Sequence, residues 1–169
     1  MILTRDTILR EIERGRIIID PFLPDDIGPA SIDLHLGDEI RVMEGGPAVI
    51  DVTEDADYLT VTQVRPLNTP YLLKPGETIH GITRERIRLP GDICGWLEGR
   101  SRFARLGLTI HITSGFVAPG VDNRQVLEMN NVAGRPLAIH AGTRLCQLVL
   151  QRAEGSAIYQ GRFASQERL

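Results

Sequence analysis

Asp92-Ile93-Cys94-Gly95-Trp96-Leu97-Glu98-Gly99-Arg100-Ser101-Arg102-Phe103-Ala104-Arg105-Leu106-Gly107-Leu108-Thr109-Ile110-His111 is the stretch whose reading decides the fold. Residues 92–97 form a short apolar run of strand length, and 108–113 form another. Between them Gly99 permits a tight approach, Ser101 can cap one short helical turn, and Gly107 can end it. The same rhythm continues on both sides. Short alternating runs at 31–36, 39–43, 78–83, 125–130, 137–140 and 144–150 are separated by Gly, Pro, Asn and Asp. Many short strands with frequent turn signals predict an all-β sandwich or barrel. One helix stands apart near the start. Thr4 can cap it, Ile8, Leu9 and Ile12 make its apolar stripe, and Gly15 ends it.

The 169 residues contain no internal repeat, low-complexity segment or linker, so a single domain spanning 1–169 is expected. An apolar fraction of 42% excludes a disordered chain. No apolar run approaches the ~18 residues of a membrane-crossing helix. Met1-Ile2-Leu3-Thr4-Arg5-Asp6 carries charge where a signal peptide needs its apolar stretch. A soluble, cytoplasmic chain is expected, with no membrane partner.

Acidic residues number 22 and basic ones 19, so a general nucleic-acid-binding surface is not expected. Lys74 is the single lysine; every other basic residue is arginine. The planar fork of arginine fits phosphate and carboxylate, although a compositional bias explains the excess equally well.

Cys94 and Cys146 each sit in an apolar run and read as small core residues. His35, His80, His111 and His140 form no pair at ligand spacing, and no His is followed two positions later by Glu. The zinc-deaminase signature is absent, and no protein-ligated metal is expected.

Two segments carry candidate chemistry. A helical turn opening at Ser101 would present free N–H groups and a positive dipole end to an anion, with Arg100, Arg102 and Arg105 around it. A solvated basic turn is the other reading. In Gln125-Val126-Leu127-Glu128-Met129-Asn130, alternation puts Val126, Glu128 and Asn130 on one face and Leu127 and Met129 on the other. A carboxylate in an inner strand is costly unless paired with an arginine or used, and burial would raise its pKa toward that of a proton shuttle. Between the two segments, Ser114 and Gly115 can bring backbone close to a ligand, while His111 alone is a weak signal. No Ser-His-Asp order or Gly-rich phosphate loop is present. The tail, 153–169, is polar and without strand or helix period, so mobility is expected. Its Tyr159, Arg162, Phe163 and Gln166 can close over a ligand or belong to a frayed terminus.

These segments together resemble the dCTP deaminase family, the deaminating branch of the trimeric dUTPase-like fold. Ile27-Gly28-Pro29-Ala30-Ser31-Ile32-Asp33-Leu34-His35-Leu36-Gly37 looks like the family's early strand motif. Leu73-Lys74-Pro75-Gly76-Glu77 and Leu89-Pro90 follow in order. Gly95-Trp96-Leu97-Glu98-Gly99-Arg100-Ser101 with Ala104-Arg105-Leu106-Gly107-Leu108 is the most specific part. Val126-Leu127-Glu128, Gln147-Leu148, and Tyr159-Gln160-Gly161-Arg162-Phe163 with Gln166 complete the set.

The resemblance implies a mainly β, dUTPase-like β-barrel or jelly roll (β-clip) with a short N-terminal helix, a short central helix and a mobile tail. It implies deamination of dCTP to dUTP and ammonia, with Glu128 moving protons among a water, ring N3 and the departing amine. Ser101, Arg105 and the backbone near Ser114 would position that water. Arg100, Ser101 and Arg102 would hold phosphates, Val126, Leu127 and Gln147 would contact substrate, and Tyr159, Arg162 and Gln166 would close on it. Magnesium would accompany the triphosphate without protein ligands. A homotrimer with shared sites and inhibition by dTTP are further implications.

Val117-Ala118-Pro119-Gly120 departs from the family, which has Asp at the second position, against the sugar 3′-hydroxyl and the hydrolytic water of the dUTPase branch. Val121 replaces an aromatic near the deoxyribose, Asn123 a Gly, Arg102 a Ser, Ser114 an Ala and Arg162 a Lys. Loss of the Asp argues against phosphate hydrolysis. Four readings follow: a dCTP deaminase, a deaminase of another cytosine nucleotide, a dUTP diphosphatase, and a non-catalytic trimeric nucleotide-binding or sensing module.

Overall fold

The structure, a computed structural model, describes all residues except 47 and 48. Helix α1 (Arg5–Glu13) precedes β1 (Ile18–Asp20), β2 (Ile32–Met43), β3 (Thr62–Pro66), β4 (Tyr71–Leu73), β5 (Thr78–Arg88) and β6 (Ile93–Gly99). A four-residue helix, α2 (Ser101–Ala104), leads to β7 (Leu108–Thr109), β8 (Phe116–Val117), β9 (Asp122–Asn131), β10 (Leu137–Ile139) and β11 (Arg144–Arg152). The expected mainly β class is the observed one.

Strands β7-β9-β5-β2-β11-β6-β8 lie side by side in one antiparallel sheet, with β1 added to β5 and β3 to β2. Strands β4 and β10 form a separate pair. Strand β2 holds the sheet together. Its first half pairs with β11 and its second half with β5 and β3. The change of partner falls at a register break between Leu36 and Ile40, and β5–β9 breaks register between Ile82 and Arg86. Such bulges increase local twist and curl the sheet. Gly37 lies at the first break, where an added Cβ would stand 3.1 Å from the Ile82 carbonyl oxygen.

The curled sheet encloses Leu34, Ile40, Ile79, Ile82, Leu97, Leu127, Met129, Leu148 and Leu150, all buried. Burying one such side chain stabilises by about 1.5–3 kcal/mol. Helix α1 seats Ile8 in this core, with Leu9 and Ile12 packed against it. Arg14 is its C-cap, and Gly15 follows in the left-handed region at φ 67°. Glu11, on the buried side of α1, accepts from Arg16 Nε at 2.6 Å and from Arg152 Nη2 at 2.7 Å. Asp92 takes the same two arginines at 2.8 and 3.2 Å, so α1, the turn before β6 and β11 are joined by charge.

Cys94 and Cys146 are free and buried, as expected, and burial pushes the Cys146 thiol far up. Several local expectations change. The runs 31–36 and 39–43 are one strand, β2, because the bulge bends the ladder without ending it. Residues 108–113 keep strand form only at Leu108–Thr109, since the Ile112 N–H is directed to the Glu128 carboxylate instead of a ladder partner. Ser101 does not cap α2: it is the first helical residue, and Arg100 occupies the cap position in extended conformation. The tail is also tied, by bonds that pass largely through main-chain atoms. Ala157 N donates to Gly91 O at 2.9 Å, Tyr159 N to Pro119 O at 3.0 Å, and Arg124 N to Gln166 O at 2.9 Å.

Candidate active site

A cavity of about 570 Å³ opens between β9, β5, the segment from Ser114 to Val121, and the tail. Strand β9 supplies Asn123, Gln125, Val126 and Glu128 to its wall. Strict alternation would not show Gln125 and Val126 to the same space. The register break opposite them provides it. Buried Thr83 spans the break, donating to Glu85 O at 2.8 Å and accepting from Gln125 N at 3.0 Å.

Glu128 is the only carboxylate among the described residues of the wall. Its neighbours Leu127 and Met129 turn into the core and are wholly buried, so Glu128 faces the cavity. It is half-buried, more open than an inner strand implied, and its Oε2 accepts from Ile112 N at 3.3 Å.

The register across three strands brings charges into one row. Glu128 of β9 pairs with His80 of β5, and His80 pairs with Arg41 of β2. Directly opposed residues share a sheet face, with Cβ atoms about 4.5–5.5 Å apart. His80 lines the cavity, as does Tyr58, whose ring meets the imidazole edge-on at 5.4 Å and 79°. Burial lowers the His80 pKa from its ordinary 6.5, with Arg41 acting in the same direction and Glu128 against it.

The tail forms the opposite wall through Tyr159, Phe163 and Gln166. Asn123, buried, donates from Nδ2 to Phe163 O at 2.7 Å. Arg86 ion-pairs with Glu167, and Leu169 N donates to Glu39 Oε1 at 3.2 Å. Gly120 allows this closure: its φ is +71°, and an added Cβ would lie 2.7 Å from the Ile158 Cα.

The structure therefore gathers Glu128, Ser114, Val126, Tyr159 and Gln166 around one cavity, with Ala118, Val121 and Asn123 in the same wall. Leu127 contributes no side chain there, being wholly buried. Arg162 lies outside the wall, paired with Asp57 at 3.2 Å. Ser101, Arg102 and Arg105 are exposed on and just after α2, also outside it. Arg100 pairs with Asp33 at 3.2 Å, and Gln147 on β11 accepts from Ser31 Oγ at 3.1 Å. His80, Tyr58, Gln125 and Phe116 are wall residues that the sequence reading did not single out. The one available signal for His80 was its place on the polar face of an alternating run, opposite Ile79.

The profile of the dCTP deaminase-like family matches residues 2–153. The chain belongs to that family. Among its relatives, a Methanobrevibacter smithii protein named "dCTP deaminase, dUMP-forming" is 37% identical over 155 residues, covering 89% of this chain and 79% of that one. An Acidothermus cellulolyticus protein of the same name is 37% identical over 175 residues, covering 98% and 91%. The 2′-deoxycytidine 5′-triphosphate deaminase of Agrobacterium tumefaciens superposes with a TM-score of 0.71 at 20% identity, over 90% of this chain and 48% of that one. This member of the dCTP deaminase-like family thus spans about half the length of that deaminase. A Staphylococcus bacteriophage 80alpha dUTPase variant superposes at 0.52 with 14% identity, over 86% of this chain and 96% of that one. These likenesses establish the dUTPase-like fold of the family member described above.

Proposed function

We propose that this chain is an enzyme that hydrolytically deaminates dCTP to dUTP and ammonia, with Glu128 as the proton carrier. One observation carries the reading: a family member of this kind holds a single carboxylate on the described wall of its large cavity, turned away from the core and half-buried. Hydrolytic deamination needs one group that takes a proton and gives it back twice. The Glu128 carboxylate takes a proton from water as the oxygen adds to ring C4, and delivers it to N3. It then takes the proton of the new C4 hydroxyl and gives it to the amine; C4=O forms as the C4–N bond breaks, and ammonia leaves.

The Ile112 N–H holds one Glu128 oxygen, and the backbone at Ser114 borders the space where the attacking water would sit. Val126 would flank the base, with Leu127 acting through its main chain. Ser101 and Arg105 would position the water, and Arg100, Ser101 and Arg102 would hold phosphates. Because Ser101, Arg102 and Arg105 stand outside this cavity in their own chain, that role requires a second copy to present its α2 segment. A homotrimer with sites at the subunit boundaries provides this, and Gln147, Tyr159, Arg162 and Gln166 then complete the nucleotide contacts. Magnesium would enter with the triphosphate, as part of the substrate.

Ala118 places a methyl group where a second carboxylate would activate water for phosphate hydrolysis, so dUTP is the end product. The relatives' names favour a second reading, in which the reaction continues to dUMP. Purified protein incubated with dCTP, CTP, dCMP and dUTP plus magnesium separates them, with ammonia, pyrophosphate and nucleotides followed. Ammonia and dUTP from dCTP, with dUTP left intact, is expected. Pyrophosphate and dUMP from dUTP would overturn the role given to Ala118. No ammonia from any cytosine nucleotide would overturn the deaminase.

A further inference from the structure

We propose that His80 is a positioning residue for Glu128, the ring that sets how readily this carboxylate takes and returns a proton. The inference rests on the reading of Glu128 as proton carrier and adds a second residue to it. Three strands place Arg41, His80 and Glu128 in successive register, so a cation, an imidazole and a carboxylate form one row across β2, β5 and β9. The row is fixed at its cationic end. Arg41 Nη1 donates to Thr62 Oγ1 at 2.9 Å and Thr62 O at 3.1 Å, and its guanidinium lies 5.8 Å from the Tyr58 ring centre. The Tyr58 edge then meets the His80 ring. The groups facing the imidazole are therefore Arg41 from β2, Tyr58 from the turn before β3, and Glu128 from β9. His80 Nδ1 is buried with no hydrogen-bond partner, so no bond at that nitrogen competes with the ring's place in the row.

Burial and Arg41 keep this ring neutral at neutral pH. A neutral ring leaves Glu128 without an adjacent cation. Protonation of the ring puts a positive charge beside Glu128, stabilises the carboxylate and weakens it as a base. Turnover must therefore fall on the acid side as pH drops through the ring's lowered pKa. The signs for the neighbours are opposite. Removing the Glu128 charge lowers the ring pKa further, and removing the Arg41 charge raises it.

Two measurements test the inference. First, the His80 ring is titrated by NMR in the ligand-free wild type, Glu128→Gln and Arg41→Gln, with His80→Gln identifying its signal. Second, kcat/KM for dCTP deamination is followed against pH in the wild type, His80→Gln, His80→Asn and Arg41→Gln. The ring is expected to titrate below 6.5 in the wild type. It should move down in Glu128→Gln and up in Arg41→Gln. The acid limb of deamination should follow the ring upward in Arg41→Gln and lose its His80 component in both His80 variants. An unmoved acid limb in an active wild type and its variants overturns the part given to His80 alone. A ring that titrates identically in all three proteins does the same. Absence of ammonia release by the wild type overturns the proposed function itself.

Discussion

Asn123 and Phe163 are joined by a 2.7 Å hydrogen bond from the side-chain amide of the first to the main-chain carbonyl of the second. It fastens the tail to β9 beside the cavity, and the Asn123 oxygen in turn accepts from Gln125. Asn123→Gly removes both contacts and leaves two partly buried groups without partners, at a cost of about 1–3 kcal/mol. The contact to Phe163 is one of the tail's own fastenings, so the loss should appear there first. Hydrogen exchange across residues 158–168 should quicken while the global melting temperature falls only slightly. Unchanged exchange in the tail would show that Asn123 is not its fastening.

Gly120 and Gly142 share a φ of +71°, yet only Gly120 has a neighbour in the space of a Cβ, the Ile158 backbone at 2.7 Å. Gly142→Ala therefore meets backbone strain alone, about 1 kcal/mol. Gly120→Ala meets the same strain and a clash with the tail, so its loss of unfolding free energy in urea should be the larger. Equal losses would mean that the tail yields freely.

His35 and Glu85 make a buried pair. The carboxylate accepts from His35 N at 2.9 Å and from Nδ1 at 2.6 Å, and Glu85 is 2% exposed. Glu85→Ala orphans a buried N–H and an imidazole nitrogen where β2 changes partners, which should cost about 1–3 kcal/mol for each. Denaturant unfolding measures it, and a loss below about 1 kcal/mol would contradict the account.

The Arg16 and Arg152 guanidiniums hold the Glu11 carboxyl below its ordinary value of 4.5, the Arg16 hydrogen bond contributing most. A depressed folded-state pKa contributes stability that is complete above the unfolded value and lost as pH falls through the folded one. The melting-temperature gap between the wild type and Glu11→Gln should be steady above about pH 5 and narrow below the ordinary value of 4.5. A gap that widens toward acid would reverse this assignment.

The alternating runs around Leu34, Ile79, Leu127 and Leu148 were legible because each buries one face, and period two exposes that choice in the sequence. Glu128 was legible for the same reason, as a charge on the polar side of such a run. The row of Arg41, His80 and Glu128 was not, because register between strands distant in sequence leaves no local trace. The order of the tail was hidden as well, since Pro119, Phe163 and Gln166 take part through carbonyl oxygens that every residue type possesses. Arg100, Ser101 and Arg105 were legible as a motif. Their placement outside the cavity of their own chain follows from where α2 joins the sheet, which no spacing encodes.

Glu128 is the centre of the functional account, and ammonia release from dCTP by Glu128→Gln tests it most directly, with dCTP affinity measured by calorimetry on the same sample. The substitution keeps the shape and removes the proton carrier. Turnover should fall by about 10²–10⁴-fold while the dissociation constant stays within about threefold. A Glu128→Gln protein that releases ammonia at the wild-type rate would contradict the account.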